Sequence, residues 1–231
     1  MEQLLKSIHG HVRHSQGVSN TLIARFGRAL CSPHFAGTFS VDQIPTALSS
    51  RKLFTIIVNL AERGKPAAAA AATTATSSPN VGHFVAVCVD PDQVHYFDPY
   101  GIPPLQPRLA RFLDKINHRR KKSMEINSFQ VQHLKSKYCG LFCLLYALYQ
   151  HRCLRGRPPK FRLRFYRSAR NRRRNDQLCV EYLSRLISRP RRRRPAIGSA
   201  ARGTSGGGVK KKGRRTNPNV CTGKKEEEGK R

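Results

Sequence analysis

The chain has 231 residues, 39% of them hydrophobic, enough for one domain of ordinary size with extensions and a real core. No apolar stretch approaches the roughly 18 residues that span a bilayer. The opening "MEQLLKSIHGHVRHSQG" has no long apolar core followed by a small-residue cleavage site, so a soluble, non-secreted protein without a membrane association is expected. The net charge of +31 is unevenly placed: residues 1–150 carry 17 basic and 8 acidic side chains (+9), and residues 151–231 carry 27 and 5 (+22). Seven cysteines, at 31, 88, 139, 143, 153, 179 and 221, form neither a paired metal-ligand spacing nor a disulfide framework. Reduced thiols, no metal and a cytosolic or nuclear setting follow.

In chain order, Ser19 or Asn20 can cap a helix running to Leu30, with Leu22, Ile23, Phe26 and Leu30 inward. "KLFTIIVNLA" (52–61) fits a helix or a buried strand, since periodicity does not separate the two. "GKPAAAAAATTATSSPN" (64–80) reads as a mobile surface insertion. "HFVAVCVD" (83–90) and "QVHYFDPYG" (93–101) read as two strands joined as a hairpin through Pro91-Asp92. "LQPRLARFLDKI" places Leu105, Leu109, Phe112, Leu113 and Ile116 on one helical stripe, and "SMEINSFQVQ" (123–132) alternates as a strand with a register change near Ser128. After Cys139 the run Leu141, Phe142, Leu144, Leu145, Ala147 and Leu148 is apolar on nearly every side, as in a buried central helix.

The excess charge collects in runs such as "RNRRR" (170–174), "RPRRRRP" (189–195) and "KKKGRR" (210–215). Their Gly, Ser and Pro neighbours bury too little surface to offset chain entropy, so disorder is expected from about residue 188. Such runs neutralise phosphates and release counterions, which makes nucleic acid the expected partner. A nuclear-localisation signal or a merely solvated tail uses the same composition.

Cys139 follows a lysine-bearing loop and opens the apolar run. A free thiol is mostly protonated at neutral pH, so a nucleophilic cysteine needs a helix N-terminus, an imidazole, or both. An imidazole in turn needs an acidic group to orient it, and a tetrahedral intermediate needs positioned N–H donors. His83 opens one expected strand, Asp98 closes the next, and Gln132 ends a third, so all four can converge beside the buried helix. Taken singly, each has a plainer reading. His83 fits an edge-strand histidine, Asp98 a turn aspartate, Gln132 an exposed amide and Cys139 a small core residue.

Three segments together resemble the adenovirus endopeptidase (adenain) family and its relatives in adenovirus-like integrating elements, and more distantly the SUMO-specific proteases. "GHFVAVCVDPDQVHYFDPYG" resembles the family's histidine strand and acidic hairpin, "VQHLKSKYCGLFCLL" its segment with glutamine seven residues before the nucleophile, and "LCSPHFAGTFSVDQIP" its N-terminal segment. The resemblance runs from about residue 20 to 185. It implies that His83 is the base, Asp98 its orienting carboxylate, Cys139 the nucleophile, and Gln132 with the Cys139 N–H the oxyanion hole. Phe84 and Asp98 stand where the adenovirus enzymes have Trp and Glu, Asp being the choice of the SUMO-protease branch. Lys121 stands where those enzymes carry the cysteine that tethers a peptide cofactor, which argues against a disulfide-linked activator here.

The resulting expectation is an α+β fold: a central mixed β-sheet packed against helices, one of them buried and starting at the nucleophilic cysteine. Residues 1–187 would form the protease domain and 188–231 a basic disordered tail. By the same resemblance the protein would be a monomeric viral maturation endopeptidase of the virion and host nucleus. It would cleave precursor structural proteins, often at Gly-containing sites, with no small-molecule cofactor and with DNA as an activator bound through the tail. Three alternatives remain: a ubiquitin-like-protein protease, a Cys-dependent acyltransferase, or a nucleic-acid-packaging protein.

Overall fold

A computed structural model describes residues 18–62, 82–121, 123–156 and 163–188. The insertion expected at 64–80 and the basic runs at 189–195 and 210–215 lie outside the described residues.

β-Branched and aromatic residues dominate two short runs, "FTIIVN" and "FVAVCV", and both are strands: β2 (Phe54–Asn59) and β3 (Phe84–Val89). Every residue of each is buried, so neither alternates apolar with polar. That double burial is why periodicity leaves 52–61 undecided between strand and helix. With β1 (Phe35–Ser40), β4 (Val94–Phe97) and β5 (Met124–Ile126) they form a five-stranded sheet in the order β1-β2-β3-β4-β5. The sheet is mixed: β1–β2 and β4–β5 are parallel, while β2–β3 and β3–β4 are antiparallel.

The helices are α1 (Asn20–Cys31), α2 (Pro107–Arg120), α3 (Cys139–Leu154) and α4 (Arg172–Ser188). Successive strand residues point to opposite faces, which sorts the core into two halves. Val85, Val87 and Val89 pack with Leu109, Leu113 and Ile116 of α2. Phe84, Ala86 and Ile57 pack with α1, α3 and α4, through residues such as Phe26, Leu144 and Leu183. The protein is thus α+β, with a central mixed sheet covered on both faces and the apolar α3 buried against it.

Ser19 caps α1 by accepting from Leu22 N at 3.3 Å, as its sequence suggests. The helical stripe at α2 needs one correction. Gln106 accepts from Leu109 N and Pro107 occupies the first turn, so the helix starts after Leu105, which is 74% exposed. β5 is also shorter than the alternation suggests. Asn127 ends it by accepting from Asp98 N at 2.8 Å and donating to Asp98 O at 2.7 Å, so Phe129, Val131 and Gln132 lie in a loop. The run 170–174, grouped above with the basic tail, enters a 3-10 turn (Ala169–Asn171) and the start of α4. Asn175, Cys179 and Leu183, each fully buried, anchor that helix, which the reading of the sequence does not single out.

α3 comes close enough to α1 and β3 that residue 140 has to be small. A Cβ on Gly140 would lie 2.5 Å from Ile23 Cδ1 and 3.5 Å from Phe84 Cδ2. Gly140→Ala should therefore be destabilising by about 1–3 kcal/mol of overpacking, partly offset by alanine's better helix propensity. Ile23→Val removes the methyl group that clashes. Urea unfolding of the double variant should show a smaller loss than the two single losses added together; additive losses would mean that the Ile23 contact does not require the glycine.

Candidate active site

Antiparallel pairing sets the histidine and the aspartate side by side. Ala86 lies opposite Phe97, so the start of β3 and the end of β4 meet at the same end of the hairpin. His83 Nε2 is 2.8 Å from Asp98 Oδ1, and the same oxygen accepts from Tyr100 N at 2.7 Å. Asp98 is only 1% exposed. A carboxylate so buried must be met by donors. The Tyr96 hydroxyl is a further partner, held well above its ordinary pKa first by burial and then by the charge of Asp98.

The Tyr100 ring stacks on the His83 ring with centroids 4.7 Å apart, leaving the imidazole 20% exposed. Nδ1 of His83 makes no full hydrogen bond, and the group acting on the ring after Asp98 is the Cys139 thiol. Loose contacts of this kind are usual before substrate is bound. Burial disfavours the charged ring, but the hydrogen bonds to Asp98 and Cys139, with the charges of both, raise His83 to about 9.

Cys139 is the first residue of α3, 7% exposed. Its N–H has no acceptor within the helix. No acidic side chain lies in that first turn and no side chain caps it. Cys143, one turn deeper, is different: it is fully buried, its thiol donates to Phe84 O at 3.2 Å, and burial pushes its pKa far up.

Gln132 is fully buried, which removes the reading of an exposed amide. Its backbone N–H donates to Pro99 O at 3.0 Å, beside Asp98, and its Nε2 donates to Ser136 O at 2.7 Å, three residues before Cys139. A carbonyl only accepts, so the amide nitrogen faces Ser136 and one further N–H remains on Nε2. Asp98 is thus bonded directly to His83, the Cys139 thiol acts on the same ring, and Gln132 is tied to the pair through Pro99 and Ser136.

Gly101 makes this junction possible. Its φ of +70° closes the turn after Asp98, and a Cβ there would lie 2.6 Å from the Phe129 carbonyl carbon. Tyr96, Tyr100, Asn127 and Ser136 support the site without standing out in the sequence. Only Tyr100, in the turn signal "DPYG", carries a local cue.

A second histidine has the same electrostatics but a different set of partners. His95 lies between Asp90 (3.0 Å) and Glu125 (2.9 Å), and although burial opposes its charge, these partners raise it to about 9. Both of its ring nitrogens are occupied by carboxylates, so it staples the β3–β4 turn to β5 and has no atom left for a nucleophile. Among the described residues no group of His, Cys, Asp and Glu is arranged to hold a metal ion, and no helix is long and apolar enough to cross a membrane.

No family model and no curated protein matches the sequence. Similar solved structures include a deletion variant of AvrA with IP6 and CoA, at 16% identity and a TM-score of 0.37, covering 66% of this chain and 59% of that one. This chain therefore spans less than two thirds of the AvrA structure. Another is the central domain of the uncharacterized Lpg1148 protein from Legionella pneumophila, at 11% identity and a TM-score of 0.43, covering 74% of this chain and 98% of that one. At such values neither neighbour bears on chemistry, and the roles assigned below rest on the side chains of this protein.

The raised pKa is open to direct measurement. NMR titration of the His83 ring should give a midpoint near 9, so the imidazolium persists through neutral pH and is lost only as the pH rises further. Asp98→Asn should move that midpoint down, because burial then meets only the Cys139 contribution. An unchanged midpoint would remove Asp98 as the controlling partner.

Proposed function

We propose that this protein is a cysteine endopeptidase of the adenain type. The observation that carries the reading is the His83–Asp98 pair, with the Cys139 thiol acting on the same ring from the start of a buried helix. The Cys139 sulfur, as thiolate the attacking species, stands between the His83 imidazolium and the N-terminus of α3. The thiolate sulfur attacks the scissile carbonyl carbon, and the electron pair displaced onto oxygen is met by the Cys139 N–H and the free N–H of Gln132 Nε2. Collapse of this intermediate breaks the C–N bond as His83 passes its proton to the leaving amine, giving a thioester and a neutral imidazole. Water then gives a proton to His83 and attacks the thioester; the released acid and the thiolate–imidazolium pair complete the cycle. Asp98 holds the ring and stabilises its charged form throughout.

Viral precursor proteins as substrates, action in the virion and host nucleus, and DNA association through the tail complete the proposal. The last is supported by the +22 charge of residues 151–231.

Cys139→Ala should abolish cleavage of Gly-containing peptides while circular dichroism and melting temperature stay close to wild type. Site-resolved iodoacetamide labelling at neutral pH should modify Cys139 faster than Cys143. Retained cleavage, or faster labelling of Cys143, would displace Cys139 as the nucleophile. Product analysis by mass spectrometry should find free carboxylates. Acyl groups moved onto lysine or hydroxyl acceptors would identify a transferase instead.

Deleting residues 189–231 removes 15 basic and 3 acidic side chains, about half of that excess. The full chain should lose DNA affinity steeply between 50 and 200 mM salt, with a log–log slope near −0.9 per phosphate neutralised. The truncated chain should bind more weakly and with a shallower slope yet still cleave peptide; salt-insensitive binding would exclude an electrostatic tail.

A further inference from the structure

Helix α4 grips the loop that carries Gln132. Arg172 Nη1 donates to Gln130 Oε1 at 2.9 Å, and Gln130 Nε2 donates onward to Gln132 O at 2.7 Å. Asn175, fully buried, donates to Val131 O at 2.7 Å. One residue further, Asp176 Oδ1 accepts from Ser136 Oγ at 3.0 Å. Ser136 is the hub of the loop. Its hydroxyl oxygen also accepts from Tyr138 N at 3.2 Å, next to Cys139, and its carbonyl accepts from Gln132 Nε2.

A hydroxyl that donates to a carboxylate is fixed in rotation, and one that also accepts from a backbone N–H is fixed in position. The peptide carrying the Ser136 carbonyl is then held as well. Without Asp176 the Ser136 hydroxyl can turn away, the 133–138 loop is held at one end only, and the Gln132 amide loses its fixed acceptor. A donor misplaced by about 1 Å is costly in a transition state even when the fold survives.

We infer that Asp176, acting through Ser136, is a positioning residue that sets the Gln132 amide for the oxyanion. The inference rests on the proposed cysteine acyl-transfer chemistry. Nothing about this role is visible locally, since Asp176 lies 37 residues beyond Cys139 in the arginine-rich stretch "RNRRRND".

The test uses the full chain and two probes of Cys139. A peptide aldehyde ending in glycinal forms a hemithioacetal whose oxygen needs the oxyanion donors, whereas iodoacetamide alkylates the sulfur without them. Asp176→Ala should weaken aldehyde binding and lower kcat by about 10-fold, below the roughly 100- to 1,000-fold that follows outright removal of an oxyanion donor. KM and the iodoacetamide rate at Cys139, read by mass spectrometry, should stay within about twofold. Asp176→Asn keeps an oxygen for the Ser136 hydroxyl and should recover most of the loss. In a Gln132→Ala background Asp176→Ala should add nothing.

Ser136→Ala provides a second route should Asp176→Ala fail to fold, and it too should cost nothing further once Gln132 is alanine. Losses that add in the double variants, an equal fall in alkylation rate, or no recovery with asparagine would overturn the positioning role. Aldehyde that fails to bind the wild type at Cys139 would remove the acyl-transfer reading with it. Aldehyde that binds normally while the double-variant losses add removes the Asp176 role alone.

Discussion

A carboxylate kept 1% exposed is expensive unless its oxygens are met, and meeting those of Asp98 organises the whole candidate site at this end of β3 and β4. Its carboxylate takes His83 and the Tyr100 N–H, its backbone takes Asn127, and the Tyr96 hydroxyl adds a further partner. Each of these bonds also fixes something else. The Tyr100 bond tightens the turn that Gly101 closes, and Asn127 ends β5 so that the chain leaves the sheet toward Gln132. The next carbonyl, Pro99 O, receives both Val131 N and Gln132 N. Satisfying one buried anion thereby aligns the acidic turn with the glutamine loop.

His83 and His95 show that an elevated imidazole pKa is not in itself a functional sign. Both are raised to about 9 by carboxylates acting against burial. What separates them is the second nitrogen. In His95 it meets another carboxylate, giving a closed staple across β4 and β5. In His83 it lies open to the thiol at the start of α3, beneath a stacked tyrosine. The thiols divide similarly. Burial raises Cys31, Cys88, Cys143 and Cys179, leaving them as core residues.

The loop before Cys139 is held from two sides made of distant sequence. Pro99 holds one end through the backbone, and α4 holds the loop through Arg172, Asn175 and Asp176. A loop braced from both sides holds Gln132 in place without putting it in a helix or strand.

Local sequence determined much of the frame. The Ser19 cap, the β3–β4 hairpin around Pro91-Asp92, the helix opening at Cys139 and the α+β class follow from caps, turns and apolar runs a few residues long. His83, Asp98 and Cys139 stand at the boundaries of such runs, whereas Gln132 stands out as a candidate through its spacing to Cys139 and not through a strand end. Tertiary structure decided what local signals cannot carry. Residues 54–59 are a strand because both faces are covered, a fact that lies in the partners and not in the segment. Gln132 sits in a loop because Asn127 binds Asp98 from 29 residues away. Arg172 to Asp176 reads as part of a basic run by composition, yet it braces the site, because the bonds of Asn175 and Asp176 reach back 44 and 40 residues. Spacing and propensity describe neighbours in the chain, whereas a buried polar group finds its donors wherever packing brings them.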